Sequence, residues 1–403
     1  MADNVDIVVG IPSYNNSKTV GHVVKAVDAG LAKYFPDKKA VIVNSDGGST
    51  DGTPEVVKNA TVDHKAFLLS HPLSPAHRIT TPYHGIPGKG SAIRTIFQMA
   101  VDMGARACAV VDSDLRSITP EWIELLLSPV IKEGYDFVAP LYDRHKFDGT
   151  ITNSIVYPMT RALYGKRVRQ PIGGEFGFSG EMAEFYLKQD VWETDVARFG
   201  IDIWMTTEAI ANDFKVCQSF LGAKLHDPKD PGSDLSDVMV QVVGSIFDLT
   251  ERHSDRWKGT KGSEDVSTFG FRYHVGLEHV KVNVERMLKI FREGHSNLKG
   301  IWLDVIGPGD LGEVMVLGGL SDRDFRFPLK LWTRIIYDYA IAYHKKKLPP
   351  QHLIKSLVPL YLGKTASFVM EVEEMTHEEA EAEIERLCME FEKNKEYLVN
   401  SWK

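Results

Sequence analysis

Short apolar runs that end in polar turns, alternating with segments of helical period, constrain this chain more than any single residue does. Asp6–Ile11, Ala40–Asn44, Ala107–Val111 and Asp136–Asp143 read as strands. Between them, Val20, Val23, Val24, Val27 and Leu31 recur at helical spacing behind Ser17 as an N-cap, and Ile93, Ile96, Phe97 and Ala100 repeat the pattern. Further helices are expected over about Pro54–Val62 and from Pro120 to about Lys132, and Phe67–Leu69 begins another strand. This β-α-β rhythm predicts a mostly parallel sheet flanked by helices, whose ligands sit at the carboxyl ends of the strands.

Those strand ends carry the chemistry. Ala107–Val111 stops in Asp112-Ser113-Asp114. Two carboxylates at i and i+2 on a strand tip can share one hard cation with diphosphate oxygens, because Mg²⁺ or Mn²⁺ needs only one or two protein carboxylates when a phosphate supplies the rest. Asp-x-Asp alone is common, and a solvated strand end is the bland alternative. Asp46, at the end of the second strand, suits either the edge of a base or ribose, or its own Asx-turn. Gly85–Ser91 precedes a helix, and Lys89 within it would place a point charge near that helix's N-terminus. Gly-Lys-Gly-Ser lacks the spacing of a Walker A loop, so the convergence of these turns counts for more than any one of them.

The 403 residues carry a net charge of −8 and no basic stripe, which disfavours a nucleic-acid partner. Three widely spaced cysteines suit a reducing compartment and argue against a disulfide framework. No run of about 18 apolar residues occurs, so no membrane span is expected, and the acidic N-terminus carries no expectation of a signal peptide. A cytoplasmic location is the expectation.

The second half changes character. Arg144–Thr152 is a polar loop, Ile155–Leu163 is helical despite Pro158, and Gln170–Phe178 reads as a glycine-rich turn. A helix starts near Asp202 and a strand spans Val216–Leu221. Beyond about Ser233 the pattern is helical, with a capping box at Thr376 and Glu379. Trp257–Thr268 reads as a polar, mobile loop, and the acidic run Glu371–Glu385 as a solvated helix face.

Ile11-Pro-Ser-Tyr-Asn-Asn, Ser45-Asp-Gly-Gly-Ser-Thr-Asp-Gly-Thr, Gly88-Lys-Gly and Val111-Asp-Ser-Asp resemble the nucleotide-sugar domain of GT-A glycosyltransferases. Tyr142-Asp-Arg144, Thr150-Ile-Thr152, Gln170-Pro-Ile-Gly-Gly-Glu175, Gly200-Ile-Asp202 and Ala223-Lys-Leu-His226 narrow the resemblance to the retaining synthases of mannosylglycerate, glucosylglycerate and glucosyl-3-phosphoglycerate. The match covers roughly residues 5–250. It implies a GT-A catalytic domain over 1–232, with a nucleotide-sugar part to about 143 and an acceptor part over 144–232. A helical region over 233–403 would serve packing and assembly into a homodimer or larger homo-oligomer.

The resemblance also implies roles. Asp114, Asp112 and His226 would hold a divalent metal, Mg²⁺ or Mn²⁺. Pro12, Ser13, Tyr14, Asn16, Asp46, Lys89, Asp112, Ser113, Gly173 and Gly174 would hold the donor, which is UDP-glucose, GDP-glucose or GDP-mannose. Family members often carry Glu at the position of Asn16, which leaves the base open. Arg144, Thr150 and Thr152 would line the acceptor, with Arg144 suited to a planar carboxylate. The phosphoglycerate enzymes have Arg at the position of Thr150, which favours D-glycerate over 3-phospho-D-glycerate, though Lys146 or Arg161 could substitute. Glu175 would fix sugar hydroxyls and Asp202 would order the sugar or stabilise its positive charge. The competing readings are a nucleotidyltransferase, which lacks its arginine-bearing glycine loop here, and a sugar-nucleotide-binding protein without turnover.

Overall fold

The computed structural model describes residues 5–60, 77–82, 88–225, 236–273, 276–277 and 280–403. The strands among the described residues are β1 Ile7–Ser13, β2 Ala40–Asp46, β3 His77–Pro82, β4 Ala107–Val110, β5 Phe137–Asp143, β6 Lys166–Arg167, β7 Phe176–Ser179, β8 Val216–Ala223, β9 Glu264–Asp265 and β10 Thr268–Phe269. The chain divides into two compact units that interleave along the sequence, where the sequence reading places one break at residue 232. The first unit takes 1–143, 168–227 and 266–277; the second takes 144–167, 228–265 and 278–403. The expected strand at Phe67–Leu69 lies outside the described residues, as do Gly85–Pro87 and His226.

In the first unit eight strands form one sheet in the order β10-β8-β5-β7-β4-β1-β2-β3. Every pair is parallel except those of β7, which runs antiparallel between β4 and β5. β1 is buried along its whole length, as an apolar run covered on two faces requires. Ile7, Val9 and Ile11 share a core with Val20, Val24 and Val27 of the helix Val20–Tyr34 and with Ile123 and Leu126 of the helix Pro120–Glu133. Alternation turns Gly10 to the other face, where a Cβ would lie 2.4 Å from Ile96 of the helix Lys89–Asp102. Helices therefore cover both faces. Ile123 is fully buried, and its truncation to Ala would cost roughly 2–5 kcal/mol.

β7 corrects the sequence reading, which leaves Gln170–Phe178 as a turn. Only four residues pair, and a glycine sits among them, so the strand is too short for periodicity to find. Its side chains nevertheless alternate: Phe176 stacks on Phe137 at 5.2 Å, and Phe178 meets Phe97 edge-on at 5.4 Å. Gly177 has Leu126's carbonyl 2.0 Å from where a Cβ would stand, so the strand owes its glycine to a close approach.

The second unit is mostly helical among its described residues, with long helices Ser236–Arg252, Val284–Asn297, Leu329–His344, Pro350–Val372 and His377–Ser401. A π-helical turn, Thr152–Val156, leads into the helix Tyr157–Tyr164, and β6 pairs with β9 in a short parallel ladder. The capping box forms as expected: Thr376 accepts from the Glu379 amide, and Glu379 reaches back to the Thr376 amide. Two expectations fail. Residues 254–259 are helical and Trp257 is fully buried, its ring N–H donating to the Thr250 carbonyl at 2.7 Å. Nor is the acidic run wholly solvated, because Glu385 pairs with the buried guanidinium of Arg161. No helix among the described residues is long and apolar enough to cross a membrane.

Candidate functional site

Two neighbouring groups of polar residues form at the carboxyl edge of the first unit's sheet. The first builds from register. Pairing of β1 with β2 sets Pro12 opposite Ser45 and Ser13 opposite Asp46. Asp46 takes hydrogen bonds from the hydroxyls of Ser13 (3.0 Å) and Ser49 (2.7 Å) on one oxygen, and from the amides of Gly48 (2.9 Å) and Ser49 (2.8 Å) on the other. It closes its own turn, the Asx-turn alternative. Asn44 stitches the strand ends by donating to the Ile11 carbonyl (3.0 Å) and the Ser13 hydroxyl (2.8 Å). Asn16 accepts from the Tyr14 amide (3.1 Å) and the Ser113 hydroxyl (2.8 Å), tying the loop after β1 to the turn after β4. Tyr14 itself stands exposed.

The second group is a buried charge cluster. Lys89 opens the helix Lys89–Asp102, Asp112 follows β4, Glu175 precedes β7, Asp202 is the second residue of the helix Ile201–Ala211, and Lys224 follows β8. Asp112 sits between two ammonium groups, 2.8 Å from Lys89 and 3.1 Å from Lys224. Lys89 also reaches Asp202 at 3.1 Å. Lys224 donates to both Glu175 oxygens at 2.8 Å and to the Gly173 carbonyl at 2.8 Å, and Tyr142 donates its hydroxyl to Glu175.

Backbone geometry makes room for the cluster. Gly174 adopts φ +95°, and a Cβ there would lie 2.5 Å from an Asp112 oxygen. Gly90 donates its amide to the Arg198 carbonyl (3.0 Å), and a Cβ on it would meet the Val196 carbonyl at 1.9 Å. This contact seats the start of the lysine-bearing helix.

The acids are driven apart in proton affinity. Burial pushes Asp112 up, but Lys89 and Lys224 outweigh it and hold the carboxyl well below the usual range. Burial pushes Glu175 up to about 7, with Asp112 adding to the rise and Lys224 opposing it. Burial also raises Asp202 against the pull of Lys89. One Asp202 oxygen is buried without a hydrogen-bond partner among the described residues, a site that a donor hydroxyl would satisfy. Lys89 is lowered by burial and raised further by Asp112 and Asp202, so it stays charged.

Asp114 is half-buried, and no hydrogen bond or ion pair holds it among the described residues. No set of three His, Cys, Asp or Glu suited to a metal occurs among those residues. A hard cation shared with a diphosphate needs fewer protein ligands than that, and the uncommitted carboxylate of Asp114 fits such a cation. Both oxygens of Asp112 already face ammonium groups.

Lys89, Asp112, Gly173, Gly174, Glu175 and Asp202 thus come together, while Arg144, Thr150 and Thr152 belong to the second unit. There Arg144 lies 3.8 Å from Asp148, and the buried Thr150 hydroxyl bonds that of Tyr361 at 2.5 Å. Lys146 donates to the carbonyls of Val372, Glu373 and Met375, and Arg161 is committed to Glu385 and Glu392. Sequence reasoning assigns no role to Lys224 or Tyr142. The available signal is position: a lysine directly after a buried strand, at the edge where the other site residues gather.

No curated protein matches the chain. Among solved structures it is similar to glucosyl-3-phosphoglycerate synthase from Mycobacterium tuberculosis in complex with Mg²⁺ and uridine diphosphate, at 20% identity over 62% of this chain and 80% of that one, with a TM-score of 0.45. The complex of that enzyme with Mn²⁺, UDP-glucose and phosphoglyceric acid gives 20% identity, the same coverage and a TM-score of 0.44. Its complex with Mn²⁺, UDP-glucose and glycerol 3-phosphate gives 20%, the same coverage and 0.45. Likenesses at this level carry no argument about substrate. Residues 8–183, which hold β1 to β5, β7 and three of the five clustered charged residues (Lys89, Asp112 and Glu175), match the model of glycosyl transferase family 2. The sheet is of the GT-A type, and the chain is a glycosyltransferase.

Proposed function

We propose that the chain is a metal-dependent, configuration-retaining enzyme that moves glucose or mannose from a nucleoside-diphosphate sugar to the 2-hydroxyl of D-glycerate. The observation that carries this reading is the buried cluster at the strand ends, where Lys89 and Lys224 flank Asp112 beside a half-satisfied Asp202. Two ammonium groups at the edge of a parallel sheet suit a diphosphate, and Lys89 adds the start of a helix to its charge. Asp114 would hold Mg²⁺ or Mn²⁺, with Asp112 and His226 as its expected companions. When bound, the metal would neutralise charge on the departing diphosphate.

The chain's own residues do the rest. The loop Pro12–Asn16 and the turn closed by Asp46 give the nucleotide a rigid wall. Gly173 and Gly174 let the donor approach the backbone closely. Asp202 accepts from a sugar hydroxyl through its unpartnered oxygen and stabilises positive charge at the sugar. Glu175, whose oxygens are taken by Lys224 and Tyr142, positions Lys224. Arg144 and Thr152 line the acceptor. Thr150 supports an acceptor without phosphate, because its hydroxyl meets Tyr361 and both Lys146 and Arg161 are engaged elsewhere.

The test is nucleoside-diphosphate release from UDP-glucose, GDP-glucose and GDP-mannose, each with D-glycerate or 3-phospho-D-glycerate, with and without Mg²⁺ or Mn²⁺. Release that needs both metal and D-glycerate supports the reading, and NMR of the product gives the anomer. Release only with phosphoglycerate would make the chain a glucosyl-3-phosphoglycerate synthase. Metal-dependent donor binding without transfer to either acid would remove glycerate as acceptor.

A further inference from the structure

In the first unit the turn at 170–175 is fastened to the sheet by a side chain. The pairing of β7 with β5 ends at Val138. Farther along β5, the carboxamide of Gln170 takes the place of a strand neighbour: it accepts from the Tyr142 amide at 3.1 Å and donates to the Tyr142 carbonyl at 3.0 Å. Gln170 is buried, and its own carbonyl receives the Gly173 amide at 3.1 Å, so one residue both closes the turn and anchors it. On its other side β5 meets a bulge, where Leu141 pairs with Phe220 and Tyr142 with Gly222, skipping Leu221. Tyr142 is thus gripped from both sides at the point where β8 is re-aimed, two residues before Lys224.

The side chains continue what the backbone begins. Tyr142 is buried against Trp122, with ring centroids 5.4 Å apart, and its hydroxyl donates to Glu175. Glu175 in turn accepts from Lys224 on both oxygens. An ammonium has three N–H bonds, and those of Lys224 go to Glu175, the Gly173 carbonyl and Asp112. None is left for a substrate, so Lys224 works through the Asp112 carboxylate, whose other oxygen faces Lys89 at 2.8 Å. The same turn also steadies the opposing acid: the buried Thr206 hydroxyl, on the helix Ile201–Ala211 that carries Asp202, donates to the Pro171 carbonyl at 2.7 Å. Misplacing a group in such a site by about 1 Å can cost roughly 10²-fold in rate, so the fastening of this turn bears on turnover.

We propose that Gln170 and Tyr142 are positioning residues for the glycosyl transfer: they set Glu175 and Lys224, and through Lys224 the orientation of Asp112 toward the donor diphosphate. The inference rests on the reading of this cluster as the donor site; neither residue touches the substrate itself.

Steady-state kinetics of the full chain test it, with whichever of UDP-glucose, GDP-glucose and GDP-mannose releases its nucleoside diphosphate in the assay above. Tyr142→Phe removes one hydroxyl, and Gln170→Met removes the carboxamide at similar length. Each should lower kcat by about tenfold, the scale of one hydrogen bond to a charged group, and leave the donor KM within about twofold. Placed on Lys224→Met, each should cost less than about twofold more, because its route to Asp112 is already cut. A natural kcat in both single variants, or tenfold losses that persist on Lys224→Met, would overturn the proposal. A second readout needs no donor. With lysine side chains isotope-labelled for NMR, the Lys224 ammonium should give a slowly exchanging signal, identified by its loss in Lys224→Met. Tyr142→Phe and Gln170→Met should speed that exchange by at least about tenfold, and unchanged exchange in both would overturn the proposal even where release is normal. Faster exchange in both variants, with no release from any donor by the natural chain, would remove the proposed function and keep the positioning of Lys224.

Discussion

Two buried lysines, one in each unit, have opposite surroundings. Lys224 meets Asp112, both oxygens of Glu175 and the Gly173 carbonyl at 2.8 to 3.1 Å. Lys364 has no hydrogen bond or ion pair among the described residues, and burial lowers its proton affinity below the ordinary value of 10.5 against the pull of Glu371 and Glu383. The difference shows how a fold uses a buried cation. Both are buried, but at Lys224 two strand ends and a glycine turn deliver acceptors that aim the ammonium. At Lys364 helices deliver mostly apolar neighbours, and burial outweighs the pull of Glu371 and Glu383.

Four measurements break or sharpen that contrast. Removing the carboxylate next to the paired cluster has the largest effect: Asp114→Ala should abolish metal-dependent nucleoside-diphosphate release, and an unchanged rate would end its assignment to the metal. Lys224→Met should lower turnover by roughly 10²–10³-fold, the scale seen for losing one preorganised electrostatic contact. Turnover equal to the natural chain would make Lys224 a purely structural partner of Glu175. Lys364→Met should instead stabilise the chain by about 1–3 kcal/mol, raising the melting temperature by a few degrees. A loss of stability in thermal denaturation would mean that the lysine is already satisfied.

The smallest effect is in pH. Between Lys364's lowered folded-state value and 10.5 the unfolded chain binds more protons, so stability from this group rises with pH across that window. The gap between the Met variant and the natural chain is therefore full below the folded-state value and closes as pH approaches 10.5. Melting temperatures of both proteins from pH 7 to 10 read it, and a constant gap would remove the buried-charge account.

The sequence made the paired cluster partly visible and the unpaired lysine invisible, for physical reasons. Lys89, Asp112 and Asp202 each follow a strong punctuation signal, a glycine run, a strand end or a helix start, so their convergence is foreseeable from topology alone. Lys224 carries no signal beyond its place after β8, because its partners come from Asp112 and Glu175, far away along the chain. Lys364 sits inside the helix Pro350–Val372, where one lysine among apolar residues looks like a surface position. The resemblance assigns Glu175 to sugar contact, and the fold buries it fully with Lys224 and Tyr142 on its oxygens. β7 stayed hidden because four residues with an internal glycine present the pattern of a turn. Trp257 shows the converse: local polarity around it predicted exposure, and a contact with Trp402 at 5.1 Å decided burial.

The antiparallel position of β7 also bears on how the chain is made. On the ribosome, β1, β2 and β4 emerge early and can pair by Val110, while β5 follows by Asp143 with no neighbour to join. β4 and β5 are bridged only by β7, so the two halves of the sheet stay separate until Ser179 has left the exit tunnel. During that interval β4 and β5 each present an open edge to other nascent chains. The period of greatest exposure to misassembly therefore falls between emergence of residue 143 and emergence of residue 179 from the tunnel.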